Sequence, residues 1–284
     1  MIGQQKLKDL CERWKIEPMP SLLVLVGDRG YGKNTAIEYI RKNVPNDGIL
    51  RAEDNSVATV RAVIDKSYAL GGNIFYVFTD CDNMSVQAKN ALLKVMEEPP
   101  NGARFILTAR NLNSLLTTII SRAFVYYMSD YSKSELEQFC NESKDEKISQ
   151  LDITKYPFIS CIGDVVRVAE NKGLFDNMLA YADTLVEFIG DATQANVLKI
   201  TTKLDLKDDD PSKYPLDLFL KSIRRGYCNK ISGEKNINMF KIYFTCACIV
   251  ERAICELKIL SASKQNIIDT MLLNLRRAAR GENL

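Results

Sequence analysis

The stretch VLVGDRGYGKNTA, Val24 to Ala36, decides the fold of this chain of 284 residues. An apolar run, SLLVLVG, leads into it, and an amphipathic segment, NTAIEYIRKN, follows it, so the pattern predicts a strand, a glycine loop and a helix. The loop has the spacing G-x-x-x-x-G-K, which turns backbone amides toward phosphate oxygens at a helix N-terminus. The residues that we expect to bind nucleotide are Gly27, Gly30, Gly32, Lys33, Asn34 and Thr35.

Position 34 departs from this loop pattern. A serine or threonine there normally supplies a hydroxyl group to Mg²⁺, whereas this chain has Asn34. An amide oxygen is a poorer ligand, and Thr35 lies a full helical step away. We therefore expect ATP binding to survive where hydrolysis does not, with Mg²⁺ present only if ATP is bound.

Composition limits the classes of function. With 46% hydrophobic and 26% charged residues, the chain is expected to be soluble and globular, with about two or three domains. A net charge of +2 gives no indication of nucleic-acid binding. The absence of histidine excludes Ser-His and Cys-His nucleophilic catalysis.

The eight cysteines have irregular spacing, and no apolar leader or membrane-spanning run is present, which predicts reduced thiols and a cytoplasmic location. Cys246 and Cys248 form a C-x-C pair, but no second pair stands at zinc-ligand spacing. We expect buried helical positions there and no metal site formed by the protein alone.

The rest of the first half alternates strands and helices. Strands are predicted at GILRAE, NIFYVFTD, RFILTAR and AFVYYM, and helices at SVATVRAVIDKSYAL and at SVQAKNALLKVMEEPP, which Pro99 and Pro100 end. This alternation predicts an α/β domain with a parallel sheet covered by helices, over residues 1–129.

Beyond Asp130 the pattern is helical. Ser132 and Glu135 form a capping-box signal, and a second helix is predicted after Gly163. The acidic run KLDLKDDDPSKYP is the best linker candidate, and long amphipathic segments follow it. We interpret residues 130–190 as a small helical domain and 191–284 as an all-helical domain, with the stripe of Phe240, Tyr243, Phe244 and Ile249 in its core.

A second strand tip bears on the chemistry. P-loop ATPases carry an aspartate at the tip of a neighbouring strand, often followed by an acid that positions water. Here the tip reads Thr79-Asp80-Cys81-Asp82. Either Asp80 holds the metal and Cys81 replaces the second acid, or Thr79 stands at the metal position and Asp80 is the second acid. One acid is lost in both alignments.

These residues resemble the AAA+ clamp-loader family, in particular the delta-prime and gamma (tau) subunits of bacterial DNA polymerase III. The matching phrases are IGQQ at residues 2–5, the glycine loop, NALLKVMEEPP at 90–100 and TTIISRA at 117–123. The resemblance is strong over about the first 130 residues and favours the alignment in which Asp80 is the second acid. It implies an AAA+ P-loop domain, a helical lid domain and a helical collar domain for oligomerisation.

The resemblance also implies roles for individual residues. Arg122, in the phrase Ser121-Arg122, would be an arginine finger that acts in trans on ATP bound by a neighbouring subunit. Three features depart from the family: no zinc-binding cysteine cluster lies between Lys33 and Asp80, that segment is short, and Val166 replaces the second sensor arginine, with Arg167 one position away.

The predicted function is therefore a delta-prime-like stator in a hetero-oligomeric DNA replication clamp loader. Its partners would be the other clamp-loader subunits, the sliding clamp and, through the assembled complex, primer-template DNA, with no membrane. One alternative is an active gamma-like ATPase subunit of a compact, phage-encoded loader. Another is a P-loop interaction module outside replication.

Overall fold

A computed structural model describes residues 1–207, 210–257 and 263–282. The chain divides into an N-terminal unit, Met1–Ser143 with Ser160–Asp164, and a C-terminal unit, Lys144–Ile159 with Val165–Leu284. The predicted boundaries after residues 129 and 190 remain predictions. In the part of the chain described here, every helix is too short or too polar to cross a membrane.

The N-terminal unit is built on a parallel sheet of five strands in the order β2-β3-β4-β1-β5. The strands are β1 (Leu22–Val26), β2 (Gly48–Arg51), β3 (Ile74–Phe78), β4 (Arg104–Ala109) and β5 (Phe124–Tyr127). The helices are α1 (Gln5–Arg13), α2 (Lys33–Asn43), α3 (Val57–Leu70), α4 (Val86–Glu97), α5 (Thr117–Ile120) and α6 (Lys133–Glu142). The predicted α/β fold class is confirmed.

Both faces of the sheet are covered, which explains why its central strands read as unbroken apolar runs. All five residues of β1 are buried. Leu23 and Leu25 pack with apolar residues of α1 and α2, whereas Val24 packs with those of α3, α4 and α5 on the other face. Because every strand is parallel, the carboxyl ends of the strands lie at one edge of the sheet and the amino ends at the opposite edge.

The IGQQ phrase connects the start of the N-terminal unit to the chain that follows its last strand. Gln4 is buried and has a positive φ of 54°. Its side-chain amide donates to the carbonyl oxygen of Ser129 at 2.7 Å, and its Oε1 accepts from the Ser129 amide at 2.9 Å. This two-point contact fastens the chain before α1 to the chain after β5.

The C-terminal unit is helical apart from one short pair of strands. Its helices are α7 (Glu146–Ser149), α8 (Ile162–Glu170), which begins in the N-terminal unit, α9 (Lys172–Phe188), α10 (Gln194–Leu198), α11 (Leu216–Gly233), α12 (Ile237–Glu256) and α13 (Lys264–Ala279). Helix α11 packs against α9 and α12, and α12 packs against α13.

The acidic segment predicted as a linker contributes two strands. Strands β6 (Leu204–Asp205) and β7 (Tyr214–Pro215) pair in parallel at the two ends of this segment. Asp208 and Asp209, in its middle, lie outside the described residues, as do residues 258–260 of the segment predicted to be a long helix.

The aromatic stripe on α12 was expected in the core; that expectation is wrong for Phe240 and Phe244, whereas Tyr243 and Ile249 are half-buried. Phe240 and Phe244 are exposed, at 36% and 54%, and their rings stack on one another at 6.3 Å between centroids. The buried residues of α12 are Cys246, Val250 and Ala253. At 100° per residue, Phe240 and Phe244 lie on average about 130° around the helix from these buried residues. Cys248, also expected to be buried, is exposed.

Candidate functional site

The glycine loop joins the end of β1 to the start of α2. Gly30 and Gly32 have φ values of 89° and 79°, a backbone region that residues with a side chain seldom adopt. Gly27 is needed for space, because a Cβ atom there would lie 2.9 Å from Cβ of Met128. The amide of Gly27 donates to the carbonyl oxygen of Ala109 at 3.1 Å, so the loop leaves the sheet beside the end of β4.

Lys33, the first residue of α2, folds back over this loop. Its Nζ donates to the carbonyl oxygens of Gly27 and, at 3.0 Å, of Asp28. Burial lowers the pKa of Lys33 below its usual 10.5, and the carboxylates of Asp80 and Asp82 oppose that shift. An anion beside Nζ would stabilise the ammonium form, which is the chemistry that binds phosphate.

Asn34 and Thr35 are the next two residues of α2, and both are exposed. They belong to the first helical turn, whose backbone amides have no partner within the helix. The structure therefore brings together the six residues predicted to bind nucleotide: Gly27, Gly30, Gly32, Lys33, Asn34 and Thr35.

The tip of β3 lies at the same edge. Asp80 is exposed, with a positive φ of 50°. Its amide donates to Oγ1 of Thr108 at 2.9 Å, and its carbonyl oxygen accepts from the side chain of Asn55 at 3.1 Å. These two hydrogen bonds hold the backbone of Asp80 in its strained conformation. They do not involve its carboxyl group, whose position they fix.

The two residues after Asp80 have structural environments. Cys81 is fully buried, and burial raises the pKa of its thiol to about 12, so it does not act as a thiolate at neutral pH. The carboxylate of Asp82 accepts from the amide of Arg110 at 2.8 Å and from Oγ of Ser114 at 2.7 Å. Asp82 thus holds the loop after β4. This role is not visible in the sequence, because the two segments are 28 to 32 residues apart.

A buried lysine extends this network. Lys89 of α4 donates through Nζ to the carbonyl oxygen of Ser114 at 2.7 Å. Ser114 is therefore fixed both by Lys89 and by Asp82. The loop between β4 and α5 is tied to the tip of β3 and to α4, which makes this side of the candidate site rigid.

Arg122 lies elsewhere, between α5 and β5. Its Nη2 forms an ion pair with Oε1 of Glu97 at 3.1 Å, and its Nη1 donates to the carbonyl oxygen of Thr118 at 2.9 Å. The side chain of Arg122 is 37% exposed. Strands β1 and β5 pair with Leu23 opposite Phe124, so Arg122 lies at the amino edge of the sheet.

The glycine loop follows the carboxyl end of β1, at the opposite edge. By extension of this register, Arg122 is level with Ser21, the residue before β1, and the loop begins six residues later, at Gly27. At about 3.3 Å per residue, the two are separated by roughly 20 Å along the strands. Arg122 therefore does not reach a phosphate bound by its own glycine loop.

A further segment contacts the glycine loop within the N-terminal unit. The amide of Gly163 donates to the carbonyl oxygen of Gly30 at 3.0 Å. A Cβ atom on Gly30 would lie 2.8 Å from Cα of Gly163 and 2.9 Å from Sγ of Cys161. The two glycines thus allow backbone-to-backbone contact between the loop and the start of α8.

The position at which the resemblance predicts the second sensor arginine is residue 166. Val166 occupies it, and Arg167 forms an ion pair with Asp217 at 3.5 Å within the C-terminal unit. The guanidinium of Arg167 is therefore engaged with a carboxylate of that unit.

Comparison with known proteins gives one family match and several similar proteins. Residues 40–132 match the model of a family described as DNA polymerase III, delta subunit. The delta-prime subunit of DNA polymerase III from Buchnera aphidicola is 32% identical over 98 residues, which are 34% of this chain and 30% of that protein. The delta-prime subunit from Escherichia coli is 30% identical over 104 residues, which are 35% of this chain and 31% of that protein.

The delta-prime subunit from Yersinia pestis is 38% identical over 76 residues, 26% of this chain and 22% of that protein. The aligned segments thus span less than a third of each of these relatives. Among solved structures, a gamma subunit-related protein of DNA polymerase III from Thermotoga maritima aligns over 96% of this chain and 99% of its own, with 17% identity and a TM-score of 0.43. RuvB from the same organism aligns over 99% of this chain and 83% of its own, with 14% identity and a TM-score of 0.48.

The family match covers the segment that carries the NALLKVMEEPP and TTIISRA phrases. The resemblance inferred from those phrases is confirmed: the chain resembles the delta-prime subunits of the DNA polymerase III clamp loader.

Proposed function

We propose that the chain is a delta-prime-like subunit of a DNA replication clamp loader, in which it serves mainly as a stator and offers Arg122 to ATP bound by a neighbouring subunit. The observation that carries the proposal is the position of Arg122 at the amino edge of the sheet, roughly 20 Å from the loop of its own chain. A guanidinium there serves another chain, and hydrolysis then depends on assembly.

The candidate nucleotide site of this chain supports weak ATP binding rather than efficient ATP hydrolysis. The glycine loop and Lys33 suit a phosphate group, since the loop has the required backbone geometry and Nζ lies over it. The residues around it suit Mg²⁺ poorly, because Asn34 replaces the hydroxyl ligand, Cys81 is buried and Asp82 is bound to backbone amides. When bound, Mg²⁺ neutralises charge on the transferring phosphoryl group. We expect weak ATP binding and little turnover.

The proposed partners are the other clamp-loader subunits and, through them, the sliding clamp and primer-template DNA. The exposed stack of Phe240 and Phe244 in the C-terminal unit supports assembly through α12, because paired exposed aromatic side chains are typical of protein interfaces. Co-purification with a ring-shaped clamp and other loader subunits tests this part of the proposal. Its absence would favour a P-loop module outside replication.

The test of the finger is Arg122→Ala in a reconstituted complex with clamp and primed DNA. We expect this chain to fold and assemble as before, because an exposed substitution usually changes stability by less than about 0.5 kcal/mol. Hydrolysis at the neighbouring site should fall by about a thousandfold, as in systems that depend on a trans arginine. Total hydrolysis falls partially if other subunits supply fingers to other sites.

Arg13→Ala is the matched control, since Arg13 is also an exposed arginine of the N-terminal unit in an ion pair, with Glu17 at 3.2 Å. Equal hydrolysis by the wild-type and Arg122→Ala complexes, at equal assembly, would refute the finger assignment. An active gamma-like subunit is the second candidate, favoured by the acids that face Lys33. Turnover by the isolated chain that Lys33→Ala abolishes would support that candidate over the stator.

A further inference from the structure

The Arg122 guanidinium makes two short hydrogen bonds within its own chain and a longer one of 3.5 Å from Nη1 to Oγ of Ser121. Glu97, the last residue of α4, contacts Nη2 at 3.1 Å, and the carbonyl oxygen of Thr118 in α5 contacts Nη1 at 2.9 Å. The same carbonyl oxygen accepts from Oγ of Ser121 at 3.1 Å. The side chain is thus fixed to two different helices although it lies at the surface.

The position of Glu97 is unfavourable for the helix that carries it. The C-terminal end of a helix has a negative partial charge, so a carboxylate there is repelled and a cation is favoured. Glu97 is the last residue of α4, and Glu98 follows it as the capping residue. The ion pair with Arg122 gives this carboxylate a stabilising partner that the helix itself does not provide.

The end of α4 is also fixed in place. Glu98 has left the helical conformation, with φ −128° and ψ 74°, because the residue before a proline is disfavoured in the helical region. Pro99 and Pro100 therefore end the helix at a set residue. As a result, the backbone position of Glu97, which carries the carboxylate, is fixed at the end of α4.

These contacts leave donors for a phosphate. A guanidinium has five N–H groups: Glu97 accepts from one on Nη2, and Thr118 and Ser121 accept from those on Nη1. The N–H group on Nε and the second one on Nη2 remain for phosphoryl oxygens while these contacts persist. An arginine already held in position loses less conformational freedom on reaching the transition state.

We infer that Glu97 is a positioning residue that holds Arg122 ready for the phosphoryl group bound by the neighbouring subunit. This inference rests on the proposed function, since it requires that Arg122 acts in trans. Glu97 does not touch the nucleotide. It acts by restricting the guanidinium.

The experiment measures steady-state ATP hydrolysis by complexes reconstituted with full-length chain, clamp and primed DNA. Glu97→Ala should lower kcat by roughly two- to fivefold, the range expected for an exposed ion pair, with KM for ATP unchanged. Glu97→Gln keeps an oxygen that accepts from Nη2 and should retain most of the rate. Glu98→Ala is the matched control, because it removes the adjacent carboxylate and should leave kcat unchanged.

A double substitution separates positioning from general structure. In the Arg122→Ala background, Glu97→Ala should have no further effect on kcat, because the group that it positions is gone. Equal rates for wild type and Glu97→Ala would overturn the inference. So would a loss shared by Glu98→Ala, a loss explained by weaker assembly, or a loss that persists in the Arg122→Ala background.

The same set of variants distinguishes the two proposals. If Arg122→Ala slows hydrolysis and Glu97→Ala does not, the finger stands and the positioning role is refuted. If Arg122→Ala leaves hydrolysis unchanged, the finger itself is refuted and the positioning role with it.

Discussion

Substitution of Gly163 by alanine should detach the start of α8 from the glycine loop. A Cβ atom on Gly163 would lie 2.2 Å from Cα of Gly30 and 3.2 Å from its carbonyl carbon and oxygen. All three are backbone atoms, so no side-chain rotation relieves the clash. Relief requires movement of one segment, which breaks the hydrogen bond of 3.0 Å from the Gly163 amide to Gly30.

The expected loss of stability follows from three contributions. Overpacking costs about 1–3 kcal/mol, and loss of the hydrogen bond costs about 0.5–1.5 kcal/mol. The helical preference of alanine over glycine offsets up to about 1 kcal/mol. We therefore expect Gly163→Ala to lower the free energy of unfolding of the N-terminal unit by about 0.5–4.5 kcal/mol.

Trp14 provides the assay. It is the single tryptophan of the chain and is buried in the N-terminal unit, so its fluorescence during urea unfolding reports on that unit. Gly48→Ala is the control, since Gly48 also lies in the N-terminal unit, in β2, but a Cβ atom there would meet nothing within 4 Å. That variant should be as stable as wild type or slightly more stable. Equal unfolding midpoints for Gly163→Ala and Gly48→Ala would refute the contact.

Three further predictions concern the loop and the thiols. Asn34→Thr should tighten Mg²⁺-dependent ATP binding about tenfold, since a hydroxyl ligand adds an interaction of about 1.5 kcal/mol, while ATP binding without Mg²⁺ stays the same. Titration calorimetry with and without Mg²⁺ measures both affinities. An unchanged affinity in the presence of Mg²⁺ would show that position 34 does not limit Mg²⁺ binding. At pH 8 a thiol reagent should label the three exposed cysteines fast and the five buried ones slowly. Burial raises the pKa of Cys11 and Cys246 from 9.0 to about 11. The two thiols therefore lose their protons at higher pH in the folded state than in the unfolded state, so the free energy of unfolding should fall from about pH 9 to about pH 11. Cys246→Ala should make this fall with pH less steep. An equally steep fall in the variant would contradict the raised pKa of Cys246.

The strands and helices of the N-terminal unit were predictable because their signals are local. The apolar runs at β1, β3 and β4 reflect burial on both faces of the sheet. The capping box at Ser132 forms as expected, with Glu135 Oε2 accepting from the Ser132 amide at 2.7 Å. Such signals depend on residues three or four positions apart.

Other features depend on which distant segments meet, and the sequence did not indicate them. The contacts of Asp82 with Arg110 and Ser114, and of Gln4 with Ser129, join segments 28 to 125 residues apart. The burial of Phe240 and Phe244 on α12 was wrongly predicted for the same reason. Periodicity places residues on one face of a helix, and only the packing of α11 and α13 against α12 decides which face is buried.

The two edges of the sheet would allow the proposed stator to lack metal chemistry and still serve an ATPase complex. The residues that would hold Mg²⁺ lie at the carboxyl edge, where Asn34 has replaced the hydroxyl ligand and Asp82 supports the loop after β4. Arg122 and Glu97 lie at the amino edge and share no contact with those residues among their hydrogen bonds and ion pairs described here. Changes at the carboxyl edge therefore leave the arginine and its support intact. Selection on the assembled complex can preserve the residues at the amino edge while residues at the carboxyl edge change, provided that the glycine loop still packs against Gly163.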